Sequence, residues 1–185
     1  MPQREIDRVY DELLVTLVQS GDRRAIERLA ARWQPRLIRA ARRLVRDDDV
    51  AREAVQETWT GVLAGIAHLA DPARFPAWTF RILHHKCVDL IRSAQRGRRR
   101  TTALDAALEP AAPTGGGEDV TAILQALGRL SLDHRSAAVL YFGEGLTMAE
   151  IAVATNVPLG TAKSRIFHAR RQLKAALAGD DHDRN

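Results

Sequence analysis

The stretch Thr147-Met148-Ala149-Glu150-Ile151-Ala152-Val153-Ala154-Thr155-Asn156-Val157-Pro158-Leu159-Gly160-Thr161-Ala162-Lys163-Ser164-Arg165-Ile166-Phe167-His168-Ala169-Arg170-Arg171 decides the fold class of this chain. Thr147 and Glu150 have the spacing of a capping box, in which a hydroxyl and a carboxylate satisfy each other's free backbone N–H groups at a helix start. Asn156 to Gly160 reads as a tight turn, after which Thr161 is placed to cap a second helix from about Ala162 to Leu177. Two short helices across such a turn make a helix-turn-helix. The second helix has two faces. Ala162, Ile166, Ala169, Leu173 and Leu177 recur at helical spacing and should pack inward, leaving Lys163, Phe167, Arg170, Arg171 and Lys174 outside with no acidic residue among them. In this motif the second helix enters the major groove and its early residues meet base edges, which suits Lys163 and Ser164; Arg170 and Arg171 suit phosphates. Phe167, a large apolar group on a basic face, fits a thymine methyl or, alternatively, packs on the preceding helix.

Upstream, helical signals continue and strand-like alternation is nearly absent. Leu13, Leu14, Leu17 and Val18 mark a first amphipathic helix. Ser20-Gly21-Asp22 is a stop and a cap, and a second helix follows from about Arg23 to Val45. Asp47-Asp48-Asp49 breaks the pattern. A third helix is expected over about Val50 to Leu69 and a fourth over about Ala77 to Arg96, with Asp71-Pro72 and Phe75-Pro76 as punctuation. Residues 101–118, rich in Ala, Pro, Thr and Gly, read as a flexible linker. The expected organisation is all-α: a first body over 8–100, the linker, a second body over 119–178 and a tail over 179–185. A tether lets two modest surfaces act together.

The 185 residues carry a formal charge of +5, which suits a polyanionic partner. Cys87 is the only cysteine, so no disulfide forms within the chain, in keeping with a reducing compartment. The first residues lack a signal-peptide core, and no apolar run approaches the roughly 20 residues that span a bilayer; a soluble cytoplasmic protein without membrane insertion is expected. His84, His85, Cys87 and Asp89 invite a metal-site reading, but adjacent helical positions diverge by about 100°, and His85 with Asp89 supplies only two ligands. Neither a phosphate-binding glycine loop nor a nucleophile elbow is present. No metal, cofactor or catalytic residue is expected, and the chain is not read as an enzyme.

Taken together these residues resemble the extracytoplasmic-function (ECF) sigma factors of bacterial RNA polymerase, over about Leu13 to Leu177. Gly145 to Ala152 followed by Pro158 to Arg165 looks like the family's region four, which binds the minus-thirty-five element; the resemblance assigns Thr161, Lys163, Ser164, Phe167, His168, Arg170 and Arg171 to that contact. Asp49 through Val55-Gln56-Glu57-Thr58-Trp59 is similar to the region-two helix that grips core polymerase through its beta and beta-prime subunits, implying Asp49, Glu53, Val55, Gln56 and Thr58. Phe75-Pro76-Ala77-Trp78 with Arg81-Ile82, Asp89 and Arg92 resembles the part that recognises and opens the minus-ten element, implying Trp78, Arg81, His84, His85, Lys86 and Arg92. Holding unpaired bases needs aromatic platforms and a basic groove, which Trp78 and Phe80 followed by Arg81, His84, His85, Lys86, Arg92 and Arg96 offer. Three positions depart from the family pattern: His85 replaces a common asparagine, Arg52 a usual acidic residue, and His168 a common arginine. The implied partners are core RNA polymerase, promoter DNA and, as in many of this group, an anti-sigma factor. A free-standing helix-turn-helix regulator is the alternative; it leaves the N-terminal motifs unexplained.

Overall fold

The structure, a computed structural model, describes residues 3–101 and 118–180; residues 102–117 of the expected linker and 181–185 of the tail lie outside the described residues. Eight α-helices and no strand occur among them: α1 (Gln3–Gln19), α2 (Arg23–Val45), α3 (Asp48–Gly65), α4 (Phe75–Thr101), α5 (Glu118–Arg129), α6 (Leu132–Ala138), α7 (Met148–Thr155) and α8 (Leu159–Asp180). Short 3₁₀ turns at Ile66–His68 and Pro72–Arg74 join α3 to α4, and α6 runs on into a π turn at Val139–Gly143.

Local side-chain chemistry sets most boundaries. Asp22 accepts hydrogen bonds from the N–H groups of Arg24 and Ala25, and Asp47 from those of Asp49 and Val50. Each satisfies donors that a helix start otherwise leaves free. Arg46 ends α2 in the left-handed region at φ 62°. Three boundaries in the first body differ from expectation. Pro76 does not mark a turn but lies in the first turn of α4, where a helix needs no N–H from it and its fixed φ is already suitable. At the other end, the arginine-rich run extends α4 to Thr101, since arginine is a good helix former. The expected third helix stops at Gly65 and yields to the 3₁₀ turn.

Trp33 centres the first body. It is fully buried, meets Phe75 edge-on at 4.9 Å and Phe80 at 5.7 Å, and carries the Arg36 guanidinium over its ring at 4.3 Å. From α1, Leu14 and Val15 reach this core, whereas Leu13 is exposed. Gly65 permits α3 and α4 to approach: a Cβ there would stand 2.8 Å from the Trp78 ring.

The two bodies do not stand apart. α7 lies along α4, and α5, α6 and the π turn contact α2, so that one apolar core runs through both. α7 contributes Met148, Ile151, Ala152 and Ala154 to this core, consistent with its scarcity of polar residues. Polar bonds also cross the seam. Arg36 pairs with the buried Glu144 at 3.3 Å, Arg8 with Glu150 at 2.9 Å, and Arg135 donates to the Leu44 carbonyl at 2.9 Å. Arg135 also donates to the carbonyls of Leu127, Gly128 and Leu130, closing the end of α5. Burial, and then the nearby Arg46, pull its pKa below the ordinary arginine value.

Candidate nucleic-acid interface

The capping box at α7 is formed in both directions: Glu150 N–H donates to Thr147 Oγ1 at 3.2 Å, and Thr147 N–H to Glu150 Oε2 at 2.7 Å. Asn156 then turns the chain in the left-handed region, at φ 54°. The next helix starts earlier than expected. Ala162 N–H donates to the Pro158 carbonyl at 3.0 Å, α8 begins at Leu159, and Thr161 is half-buried inside it rather than capping it. Proline has no N–H to leave unsatisfied, so Pro158 suits the entry to this helix.

Ala162, Ile166 and Ala169 are buried as the period requires. Lys163, Phe167, Arg170 and Lys174 form an exposed line along α8, with Ser164 and Arg171 exposed beside it. Phe167 is 63% exposed and has not folded back into the core. Its ring meets His168 edge-on at 5.5 Å, and half-buried His168 stacks on His134 at 5.8 Å. Thr161 and His168 thus lie off the exposed line, toward the inner side of the helix.

On α4, Arg81, His85 and Arg92 are exposed at spacings of four and seven, which puts them on one line. Trp78 flanks that line, half-buried against Gly65 and 6.1 Å from Phe75. Three side chains of the expected cluster are engaged elsewhere. Phe80 is wholly buried against Trp33 and offers no stacking platform. Lys86 is paired with Glu57 at 2.9 Å. His84 leaves α4 on another side, toward the second body, where burial, then His85, hold its pKa down at about 4.

On α3, Asp49, Glu53 and Gln56 are exposed along one line, with Arg52 ion-paired to Asp49 beside them. Val55 and Thr58 are a correction to the expected surface: both are buried, and the Thr58 hydroxyl donates to the Ala54 carbonyl at 2.7 Å. Positions 55, 58 and 62 share the inward face, so a contiguous motif cannot all face outward. Sequence reasoning missed Leu63, which is 58% exposed and extends the line of Asp49, Glu53, Gln56 and Thr60 by one turn. The signal was available, because 56 and 63 are two turns apart.

Residues 29–97 match the model of sigma-70 region 2, and residues 121–173 that of sigma-70 region 4. The ECF RNA polymerase sigma factor SigM of Mycobacterium tuberculosis is 32% identical over 171 residues, covering 92% of this chain and 86% of its own. The chain belongs to the ECF sigma factor family. The RNA polymerase sigma-H factor of Pseudomonas aeruginosa is 29% identical over 182 residues, covering 90% of this chain and 93% of its own. Among solved structures, the sigma factor RpoE of Bartonella quintana, in complex with the anti-sigma factor NepR, has a TM-score of 0.72 at 25% identity, covering 83% of this chain and 96% of that one. CnrH in complex with the cytosolic domain of CnrY has a TM-score of 0.67 at 27% identity, covering 92% and 99%. This sigma factor therefore directs RNA polymerase to promoter DNA, and the match across both bodies sets aside a free-standing regulator. No helix among the described residues is long and apolar enough to cross a membrane.

Proposed function

We propose a division of labour among the exposed lines of side chains. Asp49, Glu53 and Gln56 on α3, extended by Leu63, meet core polymerase. Arg81, His85 and Arg92 on α4, with the free edge of Trp78, meet the minus-ten element and hold its strands apart. Lys163, Ser164, Phe167, Arg170 and Arg171 on α8 meet the minus-thirty-five element. Residues 8–100 and 119–178 serve as the two recognition units, joined through 101–118. The chain acts in the cytoplasm and supplies promoter choice, while catalysis belongs to the polymerase. An anti-sigma factor is its natural regulator, as NepR is bound to the similar sigma factor of Bartonella quintana.

The observation that carries this reading is the carboxylate-free, exposed line of α8, which follows the capped helix α7 across the turn at Asn156. Run-off transcription with core polymerase on genomic fragments tests it. Discrete transcripts that vanish when Lys163 and Arg170 are both changed to Ala, with core binding retained, are expected. Loss of core binding in that variant overturns the assignment of α8.

A further inference from the structure

The seam between the two bodies holds a histidine, His84, that serves none of the three exposed lines. His84 is half-buried on α4, the helix on which α7 lies, and its Nδ1 is buried without a hydrogen-bond partner. The charged groups acting on it are His85 and Arg92 from its own helix, Asp133 from α6 and Arg165 from α8. Only Asp133 would welcome a proton on His84, and its carboxylate is already taken by Arg165 at 2.5 Å. His134 and His168 stack against each other from α6 and α8. On the elements packed against α4, Glu150 of α7 is engaged with Arg8 and Thr147, Glu57 of α3 with Lys86, and Arg36 of α2 with Asp11 and Glu144. No group of three metal-ligating side chains occurs among the described residues.

The packed form is also too small to touch both promoter elements. Elements centred near positions ten and thirty-five lie about 25 base pairs apart, roughly 85 Å at about 3.4 Å per pair. A compact chain of this length has a radius of gyration of about 16 Å. Engaging both elements requires the seam to open.

We infer that the seam around His84 is an acid-released latch: neutral His84 lets the second body pack on α4 through α7, and a proton on it drives the two bodies apart into the form that can span both elements. The spanning consequence rests on the promoter reading above; the latch itself does not.

Burial, then repulsion from His85, Arg165 and Arg92, holds His84 at about 4 in the packed form. An imidazole released into water titrates near about 6.5. The packed form therefore binds the proton less tightly, and falling pH favours the open one. The shift begins as pH passes about 6.5 and is complete near about 4; the packed-to-open ratio falls roughly tenfold by pH ~5.5 and roughly thirtyfold by pH ~5.

The test uses the full chain with cysteines introduced at Ala64 on α3 and Ala175 on α8, both exposed, carrying a donor and acceptor dye. Native Cys87 stays unlabelled, being buried with its thiol pushed up to about 12. Energy transfer should be high at pH ~7.5 and fall by pH ~5.5 with helicity unchanged. His84→Gln should stay packed at both values, and His84→Lys should be open already at the higher one. Low transfer in the parent at neutral pH, no change on acidification, the same profile in His84→Gln, or a loss of helicity accompanying the fall would each overturn the latch. Neither polymerase nor DNA enters the measurement, so its failure and that of the promoter reading are separable.

Discussion

Glu150 holds two roles in one side chain, completing the α7 capping box and pairing with Arg8 across the seam. Burial alone would raise its pKa; the Thr147 N–H, Arg8 and the Thr147 hydroxyl outweigh that and hold it below the usual carboxylate value. A carboxylate lowered in the folded state stabilises it above the unfolded pKa, here about 4.5, and that stabilisation is lost as pH falls through the folded value. Glu150→Gln should therefore be less stable than the parent near neutrality and show a shallower decline below pH ~4.5 in urea midpoints. Parallel declines would remove Glu150 from the acid limb. Thr147→Ala breaks the other half of the box and should cost about 1 kcal/mol, a fall of roughly 2–4 °C in Tm. Phe167→Ala probes a different kind of residue. With its ring largely in solvent, stability should stay within about 0.5 kcal/mol, while holoenzyme affinity for a cognate promoter should fall roughly fivefold if the ring meets a base. Footprinting at the minus-thirty-five element reads this; an unchanged footprint midpoint would make Phe167 a bystander.

Among the elements, the α3–α4 pair depends on one close approach. Gly65→Ala puts a methyl group 2.8 Å from the Trp78 ring, so the ring must shift, and a cost of about 1–3 kcal/mol is expected. A denaturation midpoint lowered without a change in slope would show this; a neutral variant would mean that Trp78 is free to move. The helix-turn-helix was legible in the sequence because caps are local: Thr147, Glu150 and Asp22 bond to backbone within three residues. The exposed line of α8 was legible because periodicity alone fixes it. The start of α8 was not, since Thr161 looks like a cap and Pro158, with no side-chain acceptor, does not. Val55 and Thr58 were misplaced because a motif read as a block ignores the helical period. His84 and His85 are indistinguishable neighbours in sequence, and only the packed fold sends them to different surroundings, His84 half-buried and His85 exposed.

At the scale of the whole molecule, the sequence suggests two units joined by a tether, but the contacts that bring them together are separated by a hundred residues or so, as in Arg36 with Glu144 and Arg8 with Glu150. No local pattern announces such pairs. Exposed basic side chains stand on both bodies, Arg81 and Arg92 on α4 and Lys163, Arg170 and Arg171 on α8. Each phosphate contact contributes about 0.9 to the slope of log affinity against log salt, so holoenzyme with Lys163→Ala and Arg170→Ala should lose roughly two from that slope if both meet phosphate. A slope left unchanged, with affinity reduced, would place them on base edges instead.

Arg36 gives the seam an asymmetry. Its guanidinium is held within the first body by Asp11, at 3.7 Å, and by the Trp33 ring, whether or not Glu144 is present. When the bodies part, Arg36 keeps both supports while Glu144 regains water, so neither charge is stranded. When they meet again, one half of the pair already stands in place, and the conformational entropy lost on rejoining falls mainly on the other half. A joint preorganised on one side can form and dissolve many times over without rebuilding the body that carries it.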